Sequence, residues 1–352
     1  MRNNVSKTSH AVWAGGFVTL SAMLVLFMGF SARPAAAAPF AYVTNISSNT
    51  VSVIDTASNK AVATVTVGSG PFGVAVTPDG KHAYVTNGFS NTVSVIDTAG
   101  NNVVATVTVG GSPGGVAVTP DGKHAYVANG ISPGTVSVID TTSNNVVATI
   151  TVGSFAFAVA IAPDGKHAYV THVFSSTVSV VDTTSNNVVA TVTVGSFPGS
   201  VTVTPDGKHA YVANGGSGTV SVIATATNTV VATVPVVAQA NGVAVTPDGT
   251  HAYVTNGIGL GTVSVIATGT NKVVAMVPVG TAPDGLAITP DGKHAYVVNA
   301  LDNTVSVIGT TSNTVVATVT VGNGPRSVGI VPPPPLPPPP PPRICGLRLC
   351  DH

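Results

Sequence analysis

Short apolar runs of five to seven residues alternate with polar turn clusters along most of this chain. One stretch reads Pro71-Phe-Gly-Val-Ala-Val-Thr77, then Lys81-His-Ala-Tyr-Val-Thr-Asn87, then Thr92-Val-Ser-Val-Ile-Asp97, then Val103-Val-Ala-Thr-Val-Thr-Val109. Val, Thr, Ile and Tyr dominate each run, and β-branched and aromatic residues of this kind fit a pleated, half-buried surface. Thr77-Pro78-Asp79-Gly80 predicts a tight hairpin, with Pro presetting φ at the first corner and Gly taking the left-handed position. Asn101-Asn102 predicts the turn between the third and fourth runs. No part of this region carries a helical period, so the pattern predicts an all-β fold.

The unit repeats. Tyr42, Tyr84, Tyr126, Tyr169, Tyr211, Tyr253 and Tyr296 are all the tyrosines of the chain, and they fall 42 or 43 residues apart. Pro-Asp-Gly recurs at 120–122, 163–165, 205–207, 247–249 and 290–292. Four strands in a unit of this length predict one blade of a β-propeller. The first unit, Ala41 to Val67, lacks a first strand, and Arg326-Ser-Val-Gly-Ile-Val331 is a surplus one at the other end. Joining them gives seven blades in a ring locked by its own two ends. A lone blade buries too little and leaves open sheet edges, so closure is the stable arrangement.

Outside the repeats, residues 1–38 are expected to be a secretory signal peptide. Arg2 and Lys7 precede an apolar stretch, Ala11 to Phe30, and an alanine-rich end with an Ala-x-Ala cleavage region near Ala37 or Ala38. An uncleaved anchor is the alternative, since twenty residues can span a bilayer; after cleavage no membrane span is expected. Residues 39–331 form the repeat domain and residues 332–352 a tail. Pro332 to Pro342 is proline apart from Leu336, which predicts an extended spacer of ~34 Å suited to cell-wall association or to holding a partner. Cys345 and Cys350 are the only cysteines, at a spacing that is not diagnostic. Net charge is zero and charged residues make up 7% of the chain, so nucleic acid is not an expected partner.

Nearly all the differences between repeats fall on one face, here called the top, where the chain enters each first strand and joins the second strand to the third. Every phenylalanine between Ala41 and Val331 is there: Phe72, Phe89, Phe155, Phe157, Phe174 and Phe197, all in the first half of the ring. The rings either pack on one another to cover the blade tops or form an apolar recognition patch on a rigid scaffold. One position per repeat, running Phe72, Gly114, Phe157, Gly199, Asn241, Asp284, Arg326, is expected to line the upper mouth of a central channel. Asp284 and Arg326, on neighbouring blades, are either an ordinary surface ion pair or a polar clamp for a ligand.

With its seven Tyr-Val-(Thr/Ala/Val)-(Asn/His) units, six (Thr/Ala)-Pro-Asp-Gly turns and seven Thr-Val-Ser-Val-(Ile/Val) runs, the region 41–331 resembles the YVTN-repeat family of seven-bladed propellers found in exported prokaryotic proteins. The resemblance implies the fold. Related propellers include binding proteins, lactonases and quinone- or haem-dependent enzymes, so it leaves the activity open. Calcium-dependent lactonase-type propellers place a glutamate among their channel ligands, and this chain has no glutamate. No Cys-x-x-Cys-His stands for covalent haem and no Cys/His cluster has zinc spacing, so no cofactor or metal is expected. His82, His124, His167, His209, His251 and His294 recur at one scaffold position; His172, which replaces the motif asparagine, is the singular one and a candidate for the top-face site. Asp55, Asp97, Asp140 and Asp182 read as turn formers. The expected function is a non-catalytic exported or cell-surface scaffold that binds a protein, glycan or small ligand through its top loops; the alternative is an extracytoplasmic enzyme of the lactonase or quinoprotein-like type.

Overall fold

The computed structural model describes residues 39–237, 239–257 and 261–332. The expected signal peptide, the proline-rich tail beyond Pro332, Cys345 and Cys350 lie outside the described residues. Within them are seven sheets of four antiparallel strands and no helix. The second blade shows the plan: Pro71–Val76 is innermost, followed outward by His82–Asn87, Thr92–Asp97 and Asn102–Thr108. In the first blade Pro325–Ile330 supplies the inner strand and pairs antiparallel with Phe40–Asn45, with Tyr42 opposite Gly329. The seven inner strands pack side by side in a closed cycle, that of the first blade lying between those of the second and the seventh.

The turns follow from backbone chemistry. The glycine of each Pro-Asp-Gly sits at φ between 70° and 73°, where a residue without Cβ is unstrained. At the other bottom turn Asn59, Asn101, Asn144, Asn186, Asn228, Asn271 and Asn313 all hold φ between 51° and 56°. Asparagine tolerates this region better than other side-chain-bearing residues. The strand-end aspartates act as expected: Asp55 accepts from the Ala57 N–H at 3.0 Å, and Asp140 from the N–H and hydroxyl of Ser143 at 2.8 Å.

The hydrophobic core lies between blades, in seven separate clusters. One joins Tyr42, Val51, Val53 and Val65 of the first blade to Val74, Ala83, Val85 and Ile96 of the second. Second and third strands are covered on both faces, which explains their near-continuous apolar run; each outer strand buries one aliphatic residue in its last turn of pleat, such as Val65 or Val107, and otherwise faces solvent.

The repeated tyrosine stitches neighbours together. Its ring is buried, and its hydroxyl donates to the left-handed asparagine at the bottom of the next blade: Tyr84 to Asn144 at 2.8 Å, Tyr126 to Asn186 at 3.1 Å, Tyr211 to Asn271 at 2.8 Å, Tyr253 to Asn313 at 2.7 Å, and Tyr42 to Asn101. Tyr296 to Asn59, at 2.5 Å, joins the last blade to the first. Tyr169 is the exception, since the equivalent acceptor, Asn228 Oδ1, is buried without a partner. Burial pushes the hydroxyls of Tyr42, Tyr84, Tyr169 and Tyr296 up to about 12, so they remain donors across the physiological range.

Candidate functional site

Each inner strand enters from the top through a β-bulge. Pro71 pairs with Asn87, the register shifts, and pairing resumes at Val74 with Val85; the shift recurs in all seven blades. The extra residue lifts one side chain per blade out of the ladder and toward the channel, a common use of bulges beside functional sites. The backbone of that residue is anchored from outside. The Thr44 hydroxyl of the first blade donates to the Phe72 carbonyl at 2.7 Å, Thr86 to Gly114 at 2.5 Å, and Thr255 to Asp284 at 2.6 Å. In these three blades the motif threonine holds the mouth residue of the next blade by its carbonyl, leaving the side chain free to differ.

Phe72, Phe157, Phe197, Gln239, Asn241, Asp284 and Arg326 converge on a cavity of about 560 Å³ at the top of the channel. One wall is apolar. Phe72 and Phe157 meet edge-to-face with ring centroids 5.2 Å apart. They belong to the second and fourth blades, and they meet because the third contributes only Gly114: a Cβ there would lie 2.5 Å from the Phe157 carbonyl oxygen. The opposite wall is polar. Arg326 Nη1 donates to Asp284 Oδ2 at 3.0 Å, and the Arg326 guanidinium stands 6.0 Å from the Phe72 ring centroid. The Asn241 amide donates to the Pro283 carbonyl at 3.2 Å, which ties the sixth blade to the seventh. Burial raises the Asp284 carboxyl above the usual carboxylate range, and the Arg326 charge and hydrogen bond oppose that rise.

An adjoining cleft of about 330 Å³ is almost wholly apolar, lined by Ile46, Phe72, Phe89, Phe155, Phe157, Val173 and Phe174 among others. Phe155 and Phe174 meet edge-to-face at 4.8 Å, and Phe174 and Phe197 at 5.8 Å. Phe89 and Phe174 stay 75% and 66% exposed, so the rings cover one another only in part. Phe155 and Phe197 adopt φ of 56° and 51° at a position that Gly70 and Gly324 fill in two other blades. For a bulky residue this conformation is uncommon.

His172 is not brought to this surface. Its ring is fully buried over Gly153, with Nε2 2.8 Å from Ser179 Oγ. The motif asparagine of the second blade makes the same contact, Asn87 Nδ2 donating to Ser94 Oγ at 3.0 Å. Burial lowers the His172 pKa, against contacts with the backbone of Gly153 and Ser154, so the imidazole is neutral and architectural. The candidate site loses this member because a side chain closed off under a top loop touches no ligand.

Three lining residues escaped the sequence reading. Ile46 and Val173 stand where Gly88, Gly130, Gly215 and Gly257 follow the motif asparagine in other repeats, and Gln239 stands at the left-handed position with φ 58°. The signal for the first two was present as an apolar residue in a glycine column. Among the described residues no three His, Cys, Asp or Glu side chains are grouped to hold a metal ion.

Among solved structures, the chain resembles Kuenenia stuttgartiensis hydrazine synthase, with 27% identity, TM-score 0.69, and coverage of 75% of this chain and 90% of that one. It resembles a functionally unknown protein from Desulfotomaculum acetoxidans DSM 771 at 23% identity and TM-score 0.75, covering 84% of this chain and 99% of that one. A candidate 6-phosphogluconolactonase from Bacteroides uniformis ATCC 8492 follows at 19% identity and TM-score 0.71, over 84% of this chain and 100% of that one. The latter two likenesses concern the fold alone. Among curated proteins none matches the chain. Residues 35–335, which contain all seven blades, match the YNCE-like beta-propeller family, and the chain belongs to it.

Proposed function

We propose that this protein is a non-catalytic, exported or cell-surface propeller scaffold that captures a protein, glycan or small ligand at its top face. The observation that carries the reading is the asymmetry of the mouth. A ring built from near-identical blades presents an aromatic wall of Phe72, Phe157 and Phe197 against a polar wall of Asn241, Asp284 and Arg326, around a cavity of about 560 Å³. That volume and that mix of apolar surface with a few convergent polar groups are those of small-ligand pockets. Export rests on the leader at residues 1–38 and is tested by mass spectrometry of protein from its native host: loss of Trp13 with the leader is expected, and an intact N-terminus points to an anchor.

Binding is tested with arrays of glycans, peptides and small ligands probed with the wild-type protein and with Phe157→Ala/Phe197→Ala. The double substitution is expected to weaken a top-face ligand by ~2 kcal/mol or more, with little change in thermal stability. Affinity that survives it but falls when the Pro-Asp-Gly turns are altered moves the site to the bottom face. A second reading, an extracytoplasmic hydrolase, draws on one observation: Asp284 is a carboxyl of raised pKa inside a cavity, as catalytic acids and bases often are. Turnover of a lactone panel that is abolished by Asp284→Asn would establish it in place of the scaffold reading.

A further inference from the structure

The apolar cleft beside the mouth has no charged residue in its lining, and its walls are ring edges and faces: the Phe72–Phe157 pair on one side, the Phe155–Phe174 pair on the other, with Phe89 open to solvent between blades. Grooves walled by aromatic rings suit polyproline II segments. Such a segment is already extended, loses little entropy on docking, and lays flat pyrrolidine rings on aromatic faces. This chain carries a sequence of the composition that favours that conformation: Pro332 to Pro342, interrupted only by Leu336.

The position of its first residue decides which molecule it can serve. The Val331 N–H donates to the Phe40 carbonyl at 2.8 Å at the bottom of the first blade. Pro332 lies against Gly80 of the neighbouring Pro-Asp-Gly turn, with its carbonyl oxygen 3.2 Å from where a Cβ on that glycine would stand. The segment thus starts on the face opposite the cleft. Eleven residues of this composition favour a stiff rod of ~34 Å, which disfavours folding back over the blade to the same molecule's top.

We infer that the apolar cleft of one molecule receives the proline-rich segment, residues 332–342, of a second copy; this rests on the top-face reading above. Such a contact is head-to-tail, so it does not close on itself and strings propellers into open chains. Phe155 supports the assignment. It occupies a position that is left-handed in every blade, filled elsewhere by Gly70, Ser112, Phe197, Gln239, Ala282 and Gly324, so the fold fixes the angle and this blade uses it to set a ring in the cleft wall.

Sedimentation velocity of the full chain, across a concentration series, is the test. We expect concentration-dependent association, weakened about tenfold or more by Phe155→Ala/Phe174→Ala and by replacing residues 333–342 with a Gly/Ser run of equal length. A synthetic peptide of residues 332–343 should dissociate the chains. Phe89→Ala, which removes a ring that is 75% exposed, should weaken association in the same direction and serves where the double variant does not fold. A chain that stays monomeric and does not bind the peptide overturns the inference, as does association unaffected by either replacement. Monomers in which only the tail-replaced chain binds the peptide would mean that each molecule fills its own cleft, and the second copy would be ruled out. A top-face ligand from the arrays that still binds while no tail association is seen leaves the scaffold reading standing and sinks this one alone.

Discussion

Replacing Tyr253 by phenylalanine removes one oxygen and leaves a buried ring in place. In the folded protein that hydroxyl donates to Asn313 Oδ1 at 2.7 Å, across the boundary between the sixth and seventh blades. A hydrogen bond of this kind contributes a net ~1 kcal/mol, and an acceptor left unpaired where water is scarce adds to the loss. The expected destabilisation is therefore about 1–2 kcal/mol. Tyr169 supplies an internal comparison. Its ring is as well buried as that of Tyr253, but its counterpart Asn228 Oδ1 already lacks a partner, so Tyr169→Phe should cost less than about 0.5 kcal/mol. Urea unfolding reads the difference as a drop in midpoint at unchanged slope for Tyr253→Phe and almost none for Tyr169→Phe. Equal drops in the two variants, or none in either, would refute the claim that these hydroxyls stitch the blades together and would leave the tyrosines acting through ring burial alone.

Truncation after Gly324 removes the inner strand of the first blade and bares the Phe40–Asn45 edge; light scattering should show aggregation that the chain carrying a Gly/Ser run at residues 333–342, with its inner strand intact, lacks. His172→Asn restores the repeat's own residue over Gly153 and is expected to shift thermal stability by less than about 1 kcal/mol while leaving top-face binding intact; lost binding with intact folding would make the histidine functional after all. Hydrogen bonds from the hydroxyls of Thr119, Thr204 and Thr246, then from backbone N–H groups, hold Asp121, Asp206 and Asp248 below the ordinary aspartate range. A depressed folded pKa gives stability that is present above the unfolded value and lost as pH falls through the folded one, so urea midpoints should decline on acidification below the ordinary aspartate pKa. Asp284, raised by burial, has the opposite sign: its contribution is largest below the unfolded pKa and fades as pH rises through the folded value. Thr119→Ala/Thr204→Ala/Thr246→Ala should flatten the acid decline, and an unchanged profile would show that other groups set it.

The blades were legible in the sequence because every device that builds them is local or recurs in phase. Pro-Asp-Gly and the turn asparagine announce their backbone angles, and the surplus strand at Arg326 matches the missing one before Ala41. The mouth was legible only as a set of positions. Phe72 and Phe157 belong to blades two apart in the repeat, and their contact depends on how closely the Phe157 carbonyl approaches Gly114. The reach of Thr44 to the next blade's Phe72 carbonyl is likewise a matter of blade packing rather than of any motif. His172 misled for a related reason: a titratable residue in an asparagine column looks like a specialised group, yet Nε2 can make the asparagine's bond to the serine two residues into the next strand, and the sequence does not reveal the burial that keeps it there.

These anchors also explain how a repeat so uniform can carry a site so uneven. The bulged residue of each inner strand is positioned by contacts to its backbone: the threonine hydroxyl of the preceding blade at Phe72, Gly114 and Asp284, and the strand pairing that resumes after the bulge. None of these uses its side chain. Gly114, Phe157, Asn241, Asp284 and Arg326 can therefore occupy equivalent places without altering the ladder beneath them. The tyrosine, the turn asparagine and the Pro-Asp-Gly glycine are in the reverse position, since their side chains or left-handed angles are the joints of the ring. Substitution at the mouth should accordingly move binding with little effect on folding, and substitution at the joints should move folding first. The top face is where one blade differs most from the next at small structural cost, and a ligand that must tell one direction around the ring from another has most to read there.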